Sequence, residues 1–385
     1  PQRHQRDQRG PLRSYLLGLR CLYLYLSMFL HEVKVSAKGR NEARIVSAFG
    51  ASMCPKLVRE VMSHNRPVRV NALLALCEEL QNPASLVGCV DLGIVSVLNA
   101  QVSADQDPLT RLRAAKALEI CSRNATGVHA LLQCNTAQMI VSALSDDEIE
   151  VREYVYRALI EFSTGNLSCV HALVAADYPA ILINQLRTAK EKTVLQPLAL
   201  RLLHNCLYSG CGLESALGHS AVETCIELLA SIDTEVRREA ASTLIALCLA
   251  DVAKMLAIEC GAIEIIIELL KDSDRLVRSA AAGALMTITT ADEGKQAIIS
   301  FDEIKKRNSV SLLAELLNEK DDILTTNTLK CIANIAVHPK AREILKNKTK
   351  FIDRLTTLCI CDNAAIGKNA RIVKKAIFLC PKEAL

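Results

Sequence analysis

The sequence predicts an all-α protein, a right-handed superhelical solenoid of about eight helical repeats. Three observations carry that prediction. A turn residue, an aliphatic residue, Arg, then Ala and Leu at helical spacing return together eight times between Asn65 and the C-terminus, most clearly from Asp274 to Leu285. With the Arg position as anchor, the copies fall at Arg69, Arg111, Arg152, Gln196, Arg237, Arg278, Thr325 and Gly367, at spacings of 42, 41, 44, 41, 41, 47 and 42 residues. A period of about 40–47 residues is that of stacked helical units that bury their apolar faces on one another. Half of the residues are hydrophobic yet only 3% are aromatic and Trp is absent, a core of Leu, Ile, Val and Ala suited to helix-on-helix stacking. Finally, an apolar helix precedes the anchored one, as in Gly261–Leu270 and Val310–Leu317.

Each position of the repeat has a physical reason. Four residues before the anchors stand Asn65, Asp107, Glu148, Lys192, Asp233, Asp274, Asp321 and Asn363, six of the eight being Asn or Asp. These short side chains accept from nearby backbone amides and start helices. Three residues after the anchors come Ala72, Ala114, Val155, Ala199, Ala240, Ala281, Thr328 and Ala370. Alanine in one phase means that something packs too close for a larger group. Seven residues after come Leu76, Leu118, Leu159, Leu203, Leu244, Leu285, Ile332 and Lys374, the buried stripe of an amphipathic helix. Lys374 breaks the stripe as a polar capping repeat would.

The repeats place a solenoid over residues 41–385, ahead of which residues 1–40 form an N-terminal extension. The chain starts at Pro1, so the initiator Met is missing or the gene model is incomplete. Basic residues up to Arg13 precede an apolar run from Tyr15 to Leu30, as in a signal peptide. Arg20 divides that run, leaving ten uncharged residues, short of the ~20 needed to span a bilayer. A capping helix, a targeting element and a gene-model artefact remain open for this segment, and the composition argues against a membrane protein.

Sixteen cysteines invite a disulfide reading. Cys77, Cys121, Cys206, Cys248 and Cys331 instead lie within the apolar helices, where a free thiol packs as a small hydrophobe. Cys359 and Cys361 are too close for a zinc half-site. Reduced thiols in a cytosolic-type compartment are expected, and the sequons at Asn124, Asn166 and Asn347 are then chance matches.

The net charge of +4 is unevenly spread. Residues 1–40 carry 8 basic and 2 acidic side chains, residues 301–385 carry 16 and 10, and residues 41–300 carry 22 and 30. A chain so balanced lacks the domain-wide basic character of a nucleic-acid binder. Chemistry is also missing from the pattern. The Gly210–Ser215 run lacks the third Gly and the Lys of a phosphate loop and reads as an inter-helix turn. His31-Glu32 lacks the second His of a zinc protease, and the other histidines are unpaired. No catalytic, cofactor-binding or metal-binding residues are expected, and no small-molecule substrate.

The helix-turn-helix alternation, the period and the Gly261-Ala262-Ile263 start of a middle helix resemble the armadillo repeat family, with HEAT repeats the nearest alternative. The resemblance implies that the anchored helix lines a concave groove. Peptide-binding members carry Asn nine residues after the anchor, where this chain has Glu78, Ile120, Glu161, Asn205, Ala246, Thr287, Asn334 and Ala376. Only Asn205 and Asn334 keep it, and the absence of Trp argues against a nuclear-import adaptor. Five residues after the anchor stand Leu74, Lys116, Arg157, Arg201, Ser242, Gly283, Lys330 and Ile372. Lys116, Arg157 and Arg201 form a candidate basic stripe for an acidic segment, one helix-packing step of ~8–10 Å apart. The alternative is a solvated face balanced by Glu119 and Glu161. Lys305, Lys306 and Arg307 fall in the single long spacing, where an exposed loop is expected.

Several segments are similar to the armadillo-repeat proteins of the radial spoke of motile cilia. They are Ala48-Phe49-Gly50, Pro55-Lys56-Leu57 with Glu60, Ala72–Cys77, Leu269–Asp274, Val277-Arg278, Ala281–Met286 and Glu293-Gly294-Lys295. That resemblance implies a non-catalytic scaffold subunit of the ciliary axoneme whose partners are other radial spoke or axonemal proteins. It places the chain in the cytoplasm, on the cytoskeleton of a cilium or flagellum. The competing expectation is a cytosolic or membrane-tethered armadillo adaptor in trafficking or chaperone scaffolding.

Overall fold

The turn residues do start helices. In this computed structural model, which describes residues 52–188, 194–305 and 308–378, all six Asn and Asp residues of that column accept backbone amides at helix N-termini. Asp274 accepts from Leu276 and Val277 at 2.8 and 3.0 Å, and Asp107 from Thr110 at 3.1 Å. Asn65, Asp233, Asp321 and Asn363 do the same. Glu148 starts its helix without a side-chain cap, and Lys192 lies outside the described residues.

The chain divides into two compact units, the first ending at Tyr178 and the second beginning at Pro179. The first contains α1 (Met53–Val61), α2 (Arg66–Glu79), α3 (Pro83–Asp91), α4 (Ile94–Ala104), α5 (Pro108–Ser122) and α6 (Ala125–Gln133). It continues with α7 (Thr136–Met139), a 3-10 turn over Val141–Ser145, α8 (Ile149–Ser163) and α9 (Leu167–Ala175). Next come α10 (Tyr178–Arg187), α11 (Gln196–Cys206), α12 (Gly210–Gly218), α13 (Ala221–Leu229) and α14 (Thr234–Leu247). The last are α15 (Asp251–Glu259), α16 (Ala262–Leu269), α17 (Arg275–Ile288), α18 (Asp292–Lys305), α19 (Ser309–Leu316), α20 (Asp322–Ile335), α21 (Pro339–Lys346), α22 (Thr349–Leu358) and α23 (Ala364–Phe378). Every third helix (α2, α5, α8, α11, α14, α17, α20 and α23) carries an anchor, so the repeat is a helix triplet. No strand occurs among the described residues.

The core is the two periodic columns. Ala114, Ala199, Ala240, Ala281 and Ala370 are fully buried, and Val155 and Thr328 fill the same place. All seven aliphatic residues of the Leu column are at most 1% exposed, while Lys374 is exposed. Between the first and second helices of a triplet the backbone turns through the left-handed region, at Gly93 (φ 80°) and Gly261 (φ 76°). Asn135, Asp177 and Ser220 occupy the same corner with φ of 51°, 62° and 65°, a conformation that Asn and Asp tolerate better than other non-glycine residues.

A second corner, from an anchored helix into the next triplet, imposes a size limit. A Cβ on Gly212 would lie 2.0 Å from the Cys206 carbonyl oxygen, and one on Gly127 2.0 Å from that of Cys121. The same register holds Ser85, Cys169, Ala253, Gly294 and Ala341, all small. This corrects the reading of Gly210–Ser215 as a turn: it is the first turns of α12, because the Ser209 hydroxyl accepts the Gly212 amide at 3.0 Å and caps the helix. The long spacing also differs from expectation. Its added residues mainly lengthen α18, which has 14 residues where α12 and α15 have 9. The Asp302 carboxylate then accepts the amides of Ser309 and Val310 at 2.9 and 3.3 Å, starting α19 close behind.

The anchor arginines tie repeats together. Arg237 donates to the carbonyls of Ser231 and Ile232 in the turn before its own helix, and to Asp272 of the following repeat at 2.8 Å. Arg278 reaches the Asp272 and Ser273 carbonyls and Glu319, and Arg111 the Asp105 and Gln106 carbonyls and Asp146. Arg69 pairs with Asp105 at 3.2 Å. In each case the acid sits six residues before the next anchor, and Asp146 and Asp272 also accept a backbone amide of that turn.

The fourteen described cysteines are free. Burial pushes the Cys77 thiol up to about 11 and those of Cys121, Cys206, Cys248 and Cys331 up to about 12. Such thiols stay protonated at neutral pH and pack as small hydrophobes. No single described helix is long and apolar enough to cross a membrane. The expectations for residues 1–40 lie outside the described residues.

Candidate partner-binding surface

Contacts between anchored helices define which faces are left for a partner. Residues two, six and nine after an anchor look back to the preceding repeat: Arg113 reaches the Val70 carbonyl, Thr243 that of Leu200 and Asn334 that of Met286. The groups they meet stand one, four and eight after the preceding anchor, so those positions look forward. Position five lies between the two faces and is exposed at Leu74, Lys116, Arg157, Arg201, Lys330 and Ile372. Ser242 is half-buried, and Gly283 is buried because Ile245 and Asn327 close over it, 2.7 and 3.1 Å from where a Cβ would stand.

Six of the eight expected residues have a place among the described residues. Lys116 on α5 and Arg157 on α8 project from packed neighbouring helices of the first unit. Arg157 is 2.5 Å from Glu153 and 6.0 Å from the centre of the Tyr154 ring, so one carboxylate already shares its charge. Glu119 does not balance this stripe, contrary to the alternative above. It is buried at 4% exposure and paired with Arg123, one turn along α5. Glu161 is exposed.

In the second unit, Arg201 is exposed on α11 and Asn205 is half-buried one turn later. Asn334 donates its amide to the Met286 carbonyl at 3.1 Å and to the Thr289 hydroxyl at 3.2 Å, bonds that join α20 to α17. Lys305 ends α18 in an exposed position, 3.6 Å from Glu264. Lys306 and Arg307 lie outside the described residues.

Sequence reasoning missed an apolar column one turn further on. Twelve residues after three anchors of the second unit stand Tyr208, Leu249 and Val337, exposed by 69%, 72% and 56%, whereas after Arg278 the same position holds the exposed Thr290. The signal in the sequence was weak, because the same position holds Gln81, Arg123, Thr164 and Thr290 in four other repeats. Beneath Tyr208, burial lowers the pKa of His204 despite the nearby Glu239, and its Nε2 lies 3.3 Å from the Tyr208 hydroxyl. The surface therefore offers cations, amides and aliphatic area, the means of binding a protein. Among the described residues no group of three metal-capable side chains converges.

Three helices per repeat, rather than two, is the observation that separates armadillo from HEAT architecture. The chain is an armadillo-type solenoid. A designed armadillo repeat protein matches it with a TM-score of 0.55, covering 61% of this chain and 99% of that one at 18% identity. An engineered protein matches with a TM-score of 0.68 over 94% of this chain and 98% of its own, at 21% identity. In sequence, the chain is 34% identical over 130 residues to "Radial spoke protein 14" of Chlamydomonas reinhardtii. The matched stretch covers 34% of each chain, about a third of the length of that curated relative. The chain is thus armadillo-repeat in fold and radial-spoke-like in that stretch. No protein-family model matches it.

Proposed function

We propose that this chain is a non-catalytic structural subunit of the ciliary axoneme, part of the radial spoke, where it holds other spoke proteins. The observation that carries the reading is the 34% identity to a radial spoke protein over 130 residues. The surface is consistent with permanent assembly. The Asn ladder is reduced to Asn205 and Asn334, and the amide of Asn334 already joins two helices. A groove so reduced favours wide, shape-matched contact over general peptide reading. Lys116, Arg157 and Arg201 are the proposed contacts for acidic segments of those partners, and Lys305 to Arg307 a second contact.

The test is fractionation of cilia from cells expressing a tagged chain. Retention in the axoneme through detergent, with release only at high salt, is the expected outcome, together with impaired beating of normally formed cilia when the chain is removed. A diffuse cytosolic signal, or release by detergent alone, would establish the adaptor reading in its place.

A further inference from the structure

The last described repeat breaks the packing rule of the others. Four residues after the anchor, the seven earlier copies carry Leu73, Ala115, Tyr156, Leu200, Ala241, Ala282 and Leu329, every one fully buried. In α23 that position is Arg371, and the Leu column ends in Lys374, both exposed. The remaining forward-looking positions are Lys368 and Lys375, and Phe378, one turn beyond Lys374, is 47% exposed. A further repeat of the ordinary kind would bury several unpaired cations on this face, which the low dielectric of a helix interface forbids.

The face is shaped as well as charged. Arg371, Lys374, Lys375 and Phe378 stand at helical spacings of three, four and seven and wall an apolar concavity of about 310 Å³. Arg371 is fixed by its bond to the Cys359 carbonyl at 2.7 Å, and Lys346 lies 5.9 Å from the centre of the Phe378 ring. Residues 339–378 hold ten Lys and Arg against three Asp and Glu. Some of that charge is used locally, since Lys348 pairs with Glu315 and Arg354 donates to the Leu317 carbonyl. Lys368, Lys374 and Lys375 make no ion pair among the described residues.

We propose that this face docks an acidic amphipathic helix of a partner protein, stacked on α23 where another repeat would otherwise lie. Its apolar seam covers Phe378 and the aliphatic stems of the lysines, and its flanking carboxylates meet Lys368, Arg371, Lys374 and Lys375. The apolar centre favours such a helix over a nucleic-acid backbone, which needs only the cations. The inference does not depend on which assembly the chain joins.

The experiment uses the full chain and a synthetic helical peptide with a Leu seam flanked by Glu, read by fluorescence anisotropy. The controls are a scrambled peptide of the same composition and an oligothymidylate of equal charge. The amphipathic peptide is expected to bind more tightly than either control. Reversing Arg371, Lys374 and Lys375 to Glu should weaken it about tenfold, since each is a partly screened pair, and Phe378→Ala should weaken it severalfold. These side chains are exposed, so the melting temperature should hold. If the triple variant melts early, Lys374→Glu alone and Phe378→Ala decide. Equal binding of a control, or binding indifferent to these changes, overturns the proposal. Binding that emerges only after residues 379–385 are removed overturns it too, because the chain's own tail would then be the occupant.

Discussion

Gly212 and Ala281 show how much of this fold is decided by a single methyl group. Helix propensity alone predicts that Gly212→Ala, inside α12, stabilises the protein by about 1 kcal/mol. The contact predicts the opposite, because the added Cβ would lie 2.0 Å from the Cys206 carbonyl oxygen. We expect a net loss of about 1–3 kcal/mol in urea unfolding, and a gain would remove the corner as a constraint. Ala281→Leu should cost a similar amount by overpacking, and Leu285→Ala about 2–5 kcal/mol by leaving a cavity. The Ala and Leu columns were legible in the sequence because one residue type recurs at one phase. The corner column was not, because Ser85, Gly127, Cys169, Gly212 and Ala253 share only their size.

At the level of elements, the eight anchored helices and the six Asn or Asp caps could be read directly, since each needs only local hydrogen bonds. The arginine latches could not. Arg237 and Asp272 are 35 residues apart, and the acid column fails where Lys190, Ser231 and Cys361 stand six residues before their anchors. The long spacing misled for a related reason: residue count does not tell whether an insertion extends a helix or a loop, and Asp302 decides it by capping α19. The latches make a pH prediction with a definite sign. Burial pushes the Asp272 carboxyl upward, but the hydrogen bonds from Arg237 and the Asp274 amide outweigh it and hold the pKa below the usual carboxylate value. A depressed folded pKa contributes stability that is present above the unfolded value of about 3.9 and lost as pH falls through the folded one. Asp272→Asn should therefore cost about 1–3 kcal/mol at neutral pH, and the gap to the parent should shrink as pH falls below about 4. A gap that persists undiminished at low pH would mean that the latch is not ionic.

Over the whole molecule, charge is what the sequence made visible and the structure sorted. Lys116 and Arg157 belong to the first unit and Arg201 to the second, so the stripe is tested unit by unit. All three side chains are exposed, and exposed charges contribute little to folding. Reversing Lys116 and Arg157 to Glu, or Arg201 to Glu, should leave the melting temperature within a degree or two of the parent, about what a few tenths of a kcal/mol would shift. Association with an acidic partner responds differently, because attraction becomes repulsion at the contact and the encounter rate falls as well. Arg157 adds an internal control. Its charge is shared with Glu153, so Glu153→Gln should strengthen a real contact while Arg157→Glu weakens it. Co-purification of spoke proteins from ciliated cells, followed across rising salt, reads all of these variants. Unchanged recovery of every partner in both reversal variants would reduce the stripe to solvated surface and leave the ends and edges of the array to carry assembly.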